Sequence, residues 1–420
     1  MSYVSALRCK ECGTEYPITP RTLCDDCFGP VEVAYDYDAM RGQVTRQSIE
    51  DGPRSLWRYR DLLPIEHEPT VGLMSGYTPL VKADRLAEAL GMSELYIKDD
   101  SVNYPSLSYK DRVVSVALTK AVEFGFDTIG CASTGNLAHS VSAHGARASL
   151  RTFVMIPHDL EEGKIVGSSI FGPRVIKIRG NYDDVNRLCS QIADKYGWAI
   201  VNVNLRPFYT EGAKTHGFEI GEQMGWRLPK HTVSPVAGGT ILPKIAKSYR
   251  ELIDLGLVEN NKPVLHAAQA EGCSPVVKAI EQGEDWFQPQ KPNTLAKSIA
   301  IGNPADGHYV IDEVTGSGGH AASADDQQII DATKLLAKTE GIFTEPAGGA
   351  TLASAMKLIE AGRIPRHEPT CICITGNGMK SIEVMQGQFE AAPVIDAKLS
   401  AFDQMMEAGE SAEDAEPAKV

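Results

Sequence analysis

Apolar residues fall in short runs from residue 95 onward, and stretches with helical spacing lie between them. Leu95-Tyr96-Ile97-Lys98 is one strand pattern. Asp127 to Ala132, Thr152 to Pro157, Val175 to Ile178 and Ala199 to Val203 continue the series. Helical spacing runs from Val113 to Phe124, where Gly125 stops it, and from Asp183 to Tyr196. A later block repeats the rhythm: Val233 to Val236, a helix marked by Ile241, Ile245, Tyr249, Leu252 and Ile253, then Leu265 to Ala268 and Thr370 to Thr375. Strands alternating with helices predict βαβ units and mostly parallel sheets, because a parallel return needs a crossover. The two blocks, near 100–210 and 230–385, predict an α/β protein with two lobes.

Charge narrows the partners. Lys and Arg number 41 against 55 Asp and Glu, a net −14 over 420 residues. Polyphosphate chains and anionic membranes are repelled by that balance, although a local cationic pocket for a small anion is still allowed. No run reaches the ~18–20 apolar residues of a membrane span. The first residues, Met1 to Arg8, lack the pattern of a secretory signal, so the expected setting is the reducing cytoplasm. Cys131, Cys189, Cys273, Cys371 and Cys373 then read as small buried hydrophobes. The acidic end, residues 401–420, has little to bury and is expected to be disordered.

The other four cysteines form a pattern. Cys9 and Cys12, then Cys24 and Cys27, make two C-x-x-C knuckles of the kind that set four thiolates around Zn²⁺. Gly13, Tyr16, Pro17 and Pro20 between them suit turns and a short hairpin. Residues 1–35 are therefore expected to be a zinc-ribbon-like segment. Four thiolates close the coordination sphere, which points to a structural ion.

Several turns could carry chemistry. Ser108 is a candidate N-cap that puts Lys110 in the first turn of a helix. The helix dipole disfavours a cation there, and imine chemistry needs a neutral amine. The alternative is a solvated lysine paired with Asp111. Ala132-Ser133-Thr134-Gly135-Asn136 follows a strand and opens a helix, which makes either an anion site or an ordinary capped turn. Val236-Ala237-Gly238-Gly239-Thr240 lies between a strand and a helix, where glycines let backbone amides approach a phosphate. Glu345-Pro346-Ala347-Gly348-Gly349 and Thr375-Gly376-Asn377-Gly378 offer polar groups at carboxyl edges of strands. There is no H-E-x-x-H and no G-x-S-x-G, so zinc-protease and α/β-hydrolase readings have no support.

In order, these phrases resemble the pyridoxal-phosphate (PLP) enzymes of fold type II, and within them the threonine synthase family. Gly76-Tyr77-Thr78-Pro79-Leu80, Asn103 to Arg112, Glu211 to Thr215 and Ile374 to Lys380 carry the resemblance, which covers roughly residues 75–385. An amino-terminal cysteine ribbon also resembles an extension of some members. The resemblance implies a large cofactor-binding domain from residues 36–100 and 211–390, and a small substrate domain from 101–210. Lys110 would hold the cofactor as a Schiff base and act as general base. Asn136 would bond its phenolic oxygen, Ala237, Gly238, Gly239 and Thr240 its phosphate, and Thr375 its pyridine nitrogen. Ser133 and Thr134 would take the substrate carboxylate or its phosphate, Asn204 would also bind substrate, and Arg206 would supply the cation that grips the substrate phosphate. The implied reaction converts O-phospho-L-homoserine and water to L-threonine and phosphate in a homodimer. Threonine or serine dehydration, or a cysteate synthase-like β-replacement, is the alternative within the same fold. Two departures stand out. The phosphate loop lacks the more usual G-N-x-G-N-I wording, and Tyr209 stands where some members have arginine.

Overall fold

Strands that are buried on both faces set the centre of the architecture. The computed structural model describes residues 2–133, 135–158, 162–180, 182–389 and 391–413. The strands are β1 (Val4–Cys9), β2 (Glu15–Tyr16), β3 (Val31–Tyr35), β4 (Leu80–Lys82), β5 (Leu95–Asp99), β6 (Thr128–Ala132) and β7 (Arg151–Pro157), followed by β8 (Arg174–Ile178), β9 (Ala199–Ile200), β10 (His231–Pro235), β11 (Val264–Ala270), β12 (Ala321–Ala324) and β13 (Thr370–Ile374). Every residue of β6, β10 and β13 is buried, so these strands show no polar alternation. Helices on both faces of a parallel sheet produce that pattern.

Three sheets result. One runs β12-β11-β10-β13-β5-β4, with β4 antiparallel to β5 and the other pairs parallel. A second runs β8-β7-β6-β9 and is parallel throughout. The third, β2-β1-β3, is antiparallel and belongs to the cysteine segment. The predicted α/β fold with a ribbon-like start is what is observed.

The helix Lys110–Glu123 is buried on nearly every side and packs against the helices Asn136–Arg147 and Arg206–Glu211. A buried helix needs polar anchors. Arg112 supplies one and is fully buried. Its guanidinium donates to Asp100 at 2.7 Å through Nε and at 2.7 Å through Nη2. It also donates to Glu219 at 2.5 and 2.8 Å, to Thr215 Oγ1 at 3.1 Å and to Thr78 Oγ1 at 2.9 Å. Lys98 Nζ completes the cluster, 2.6 Å from Glu219. Burial alone would raise the Asp100 carboxyl, yet Arg112 and His216 beside it hold it well below its usual range.

Residues 1–381 and 382–420 are separate compact units. The acidic end departs from expectation. It opens with a helix, Leu399–Glu413. Leu399, Phe402 and Met406 recur at helical spacing and account for it. Residues 414–420 lie outside the described set.

A histidine chain crosses the larger sheet near its amino edge. His320 N–H donates to His266 Nδ1 at 3.1 Å, His266 Nε2 meets His231 Nδ1 at 2.9 Å, and His231 Nε2 meets Glu368 at 2.6 Å. His266 is thus bonded as the neutral ring, and burial pushes it from 6.5 down to about 3. The folded state binds fewer protons here than the unfolded chain, so this contribution is intact above pH 6.5 and is lost as pH falls toward 3. We expect roughly 2 kcal/mol less stability from this group at pH 5 than at pH 7. Urea titrations at both values measure it, and His266→Gln should flatten the difference.

Candidate active site

The site lies where the carboxyl ends of the two parallel sheets face the start of the buried helix. Lys110 is the first helical residue, but Ser108 is not its cap. Tyr109 takes that position with no side-chain cap bond. Ser108 instead bridges to Gly376, Tyr109 N–H donates to Thr375 O at 2.9 Å, and Asn377 N–H donates to Leu107 O at 3.1 Å. The lysine turn is therefore sewn to the end of β13, which brings Lys110 and Thr375 together. Asp111 does not pair with Lys110. It turns inward and accepts from Ser106 N at 2.9 Å and Ser140 Oγ at 2.7 Å. Lys110 Nζ donates to Tyr209 Oη at 3.2 Å.

Asn136 opens the helix that follows β6. Its amide donates to Glu345 at 3.0 and 3.2 Å. Glu345 comes from the start of the helix Pro346–Glu360, and burial raises its carboxyl above the ordinary value. A Cβ on Gly376 would lie 2.4 Å from Glu345 Oε1, so glycine there makes room for this carboxyl. Ser133 Oγ accepts from Gly135 N at 3.3 Å. Thr134 lies outside the described residues.

Residues 236–240 form an open cradle. Gly239 has φ +90°, and a Cβ on it would strike Asp306 backbone atoms at 2.7 and 2.8 Å. A Cβ on Gly238 would meet, among the described residues, only Ile301 Cδ1, at 3.9 Å, so its backbone has room for a ligand. Thr240 caps the helix Ile241–Asp254 without a side-chain cap bond, which leaves the first-turn amides for an anion. Asp306 holds the loop from behind. Its N–H donates to Gly238 O at 2.9 Å, and its carboxylate accepts from Thr240 Oγ1 at 3.1 Å.

Arg206 reaches this loop indirectly, through an ion pair with Asp306 at 2.8 Å. Asn204 sits in a turn of its own: its side-chain oxygen accepts from Ile200 N at 2.8 Å and its amide donates to Trp198 O at 3.2 Å. Glu345, Tyr209 and Asp306 were absent from the sequence-derived set. Glu345 had a signal in its E-P-A-G-G phrase. The other two act across long sequence separations that no local pattern reveals.

The cysteine segment places Cys9 Sγ 3.5 Å from Cys27 Sγ and Cys12 Sγ 3.6 Å from Cys24 Sγ. All four sulfurs lie within 4.8 Å of one another. Tetrahedral Zn²⁺ with bonds near 2.3 Å needs sulfurs about 3.8 Å apart, so the set fits such an ion. Backbone N–H groups of Asp26 and Gly29 point at Cys24 and Cys27 sulfurs, each at 3.4 Å, as thiolate acceptors require. The segment is seated on the body through Thr22 Oγ1 to Val203 O at 2.6 Å and Tyr35 Oη to Glu211 at 2.8 Å.

An amine on a turn bonded to a polar strand end, joined to an uncapped anion cradle through the helix Arg206–Glu211 and Asp306, is the donor set a phosphorylated aldehyde cofactor requires. Residues 71–376 match the family model described as pyridoxal-phosphate dependent enzyme. The maize serine racemase structure has the same fold, with a TM-score of 0.62 at 17% identity, covering 80% of this chain and 93% of that one. The chain belongs to the pyridoxal-phosphate-dependent enzymes. A threonine synthase of Methanosarcina acetivorans is 38% identical over 94% of this chain and 97% of its own. One from Methanocaldococcus jannaschii is 35% identical over 89% and 92%. Within the class, the family to which it belongs is that of the threonine synthases. Among the described residues, no helix is long and apolar enough to cross a membrane.

Gly239→Ala tests the cradle. Alanine there meets both a strained φ and the Asp306 backbone, so stability should fall by more than about 1 kcal/mol. Thermal or urea unfolding measures it.

Proposed function

We propose that the chain converts O-phospho-L-homoserine and water to L-threonine and inorganic phosphate, as a PLP-dependent lyase. The observation that carries this reading is one amine, Lys110 Nζ, on a turn bonded to Thr375 and linked through Tyr209's helix and Asp306 to an open phosphate cradle, in a chain 38% identical to a threonine synthase.

Lys110 would hold the cofactor through its side-chain nitrogen, and its free amine would remove the substrate Cα proton as general base. Backbone groups of Ala237, Gly238, Gly239 and Thr240 receive the cofactor phosphate, Asn136 its phenolic oxygen and Thr375 its pyridine nitrogen. When bound, the cofactor supplies the electron sink for negative charge developing on the substrate carbons. Ser133 and Thr134 receive the substrate carboxylate. Arg206, backed by Asp306, places a cation near the phosphate loop. Residues 101–210 form a small domain that closes on a larger one, 36–100 with 211–390, and excludes water from the reacting carbons. Cys9, Cys12, Cys24 and Cys27 hold a structural Zn²⁺. A cytoplasmic homodimer completes this reading, supported by the resemblance to the threonine synthases.

The assay follows phosphate and threonine together from phosphohomoserine. Equal release of both is expected, and formation of a 2-oxo acid from threonine or serine instead would favour dehydration. Lys110→Ala should abolish the yellow absorbance of the holoenzyme and lower turnover by about 10³-fold or more. Borohydride trapping with peptide mapping should place the label on Lys110. Metal analysis should find about one zinc per chain, lost in the Cys9→Ser, Cys12→Ser double variant together with thermal stability.

A further inference from the structure

Two phenols flank the lysine amine, and the reaction described so far uses neither. Tyr209 Oη is 3.2 Å from Lys110 Nζ, and the Tyr209 side chain is buried. Lys110 Nζ also lies 5.0 Å from the centroid of the Tyr109 ring. Tyr109 is 6% exposed, and its hydroxyl has no hydrogen-bond partner among the described residues. Burial holds that phenol in its protonated form, and Tyr209 lies close enough to act on it electrostatically. Tyr109 therefore has a proton to donate and nothing to receive it. An orphaned buried hydroxyl costs about 1–3 kcal/mol, which an acceptor on a ligand would recover.

Tyr209 also points toward phosphate chemistry through its own helix. Arg206 and Tyr209 stand three residues apart on Arg206–Glu211, hence on one face. Arg206 grips Asp306, which holds Thr240 of the cradle. The helix thus spans from the lysine amine to the anion loop.

The reaction has a matching need. When the Cγ–O bond of the phosphate ester breaks, its electron pair leaves on a phosphate oxygen. Without a proton that oxygen would depart as a strongly basic trianion.

We propose that Tyr209 donates this proton to the departing phosphate while Tyr109 hydrogen-bonds the same group. The proposal rests on the threonine synthase reading of the site. The Tyr209 O–H proton passes to the phosphate oxygen as the C–O bond breaks. The ammonium of Lys110, which holds a proton taken from the substrate carbon, reprotonates the Tyr209 oxygen across their hydrogen bond. The phosphate leaves as the monohydrogen dianion, and the lysine returns to its neutral form. No external proton or electron is required.

The test uses the full-length holoenzyme and two readouts. Phosphate release from phosphohomoserine reports bond cleavage. Exchange of the Cα proton in D₂O reports lysine function alone, followed by NMR on the phosphonate isostere, whose Cγ-linked CH₂ cannot leave. For Tyr209→Phe the kcat for release should fall about 100-fold or more, with exchange and KM each within about threefold of wild type. The alkaline limb of the kcat–pH profile should also move. For Tyr109→Phe, KM for phosphohomoserine should rise about tenfold with kcat within about threefold. Release and exchange falling together in Tyr209→Phe would make that residue a lysine-positioning group and overturn the proposal. Release unchanged in Tyr209→Phe, or KM unchanged in Tyr109→Phe, would also overturn it. Wild-type enzyme that exchanges the Cα proton but releases no phosphate would overturn the functional reading itself, and this inference with it.

Discussion

Arg112 is the constraint on which the active lysine depends. A guanidinium sealed away from water is stable only if its donors are met, and here two carboxylates and two hydroxyls meet them. Those acceptors come from the turn before β4, the residue just after β5 and the helix Lys214–Gln223. The geometry that satisfies the charge therefore also fixes the first turn of the helix that starts with Lys110. Lys98 and Arg112 together balance Asp100 and Glu219, so the cluster is neutral as a unit. Removing one member would leave a buried charge uncompensated, which costs far more than a surface ion pair returns.

Asp306 plays a comparable part on the opposite side of the site. One carboxylate holds Arg206 and Thr240, while its own N–H holds Gly238. The cradle thus takes its shape from behind, and its open face keeps backbone amides free. This arrangement reconciles an anion site with a chain of net charge −14. The attraction comes from local dipoles and a few cations at short range, while bulk charge acts over distances that salt screens.

Much of the fold was legible because parallel α/β architecture writes itself in alternating apolar runs and helical stretches. The cysteine knuckles and the lysine turn were legible for the same reason, since each is a local pattern. What failed was nonlocal. Ser108 carries a good capping residue's chemistry, yet pairing with Gly376 outcompetes the cap. Asp111 sits next to Lys110 in sequence, but the helix points it into the core toward Ser140. Glu345 and Asn136 meet across 209 positions, a distance at which periodicity carries no information.

The seating of the cysteine ribbon has a consequence for how the chain is made. Tyr35 bonds Glu211 across 176 positions, and Thr22 bonds Val203 across 181. During synthesis this segment must therefore wait for most of a lobe before its docking surface exists. Loop-closure entropy makes such late contacts weak organisers of early folding. Four sulfurs within nineteen residues can gather around an ion without any downstream help, so the nascent ribbon is able to take shape first and present a finished surface for the rest to close upon.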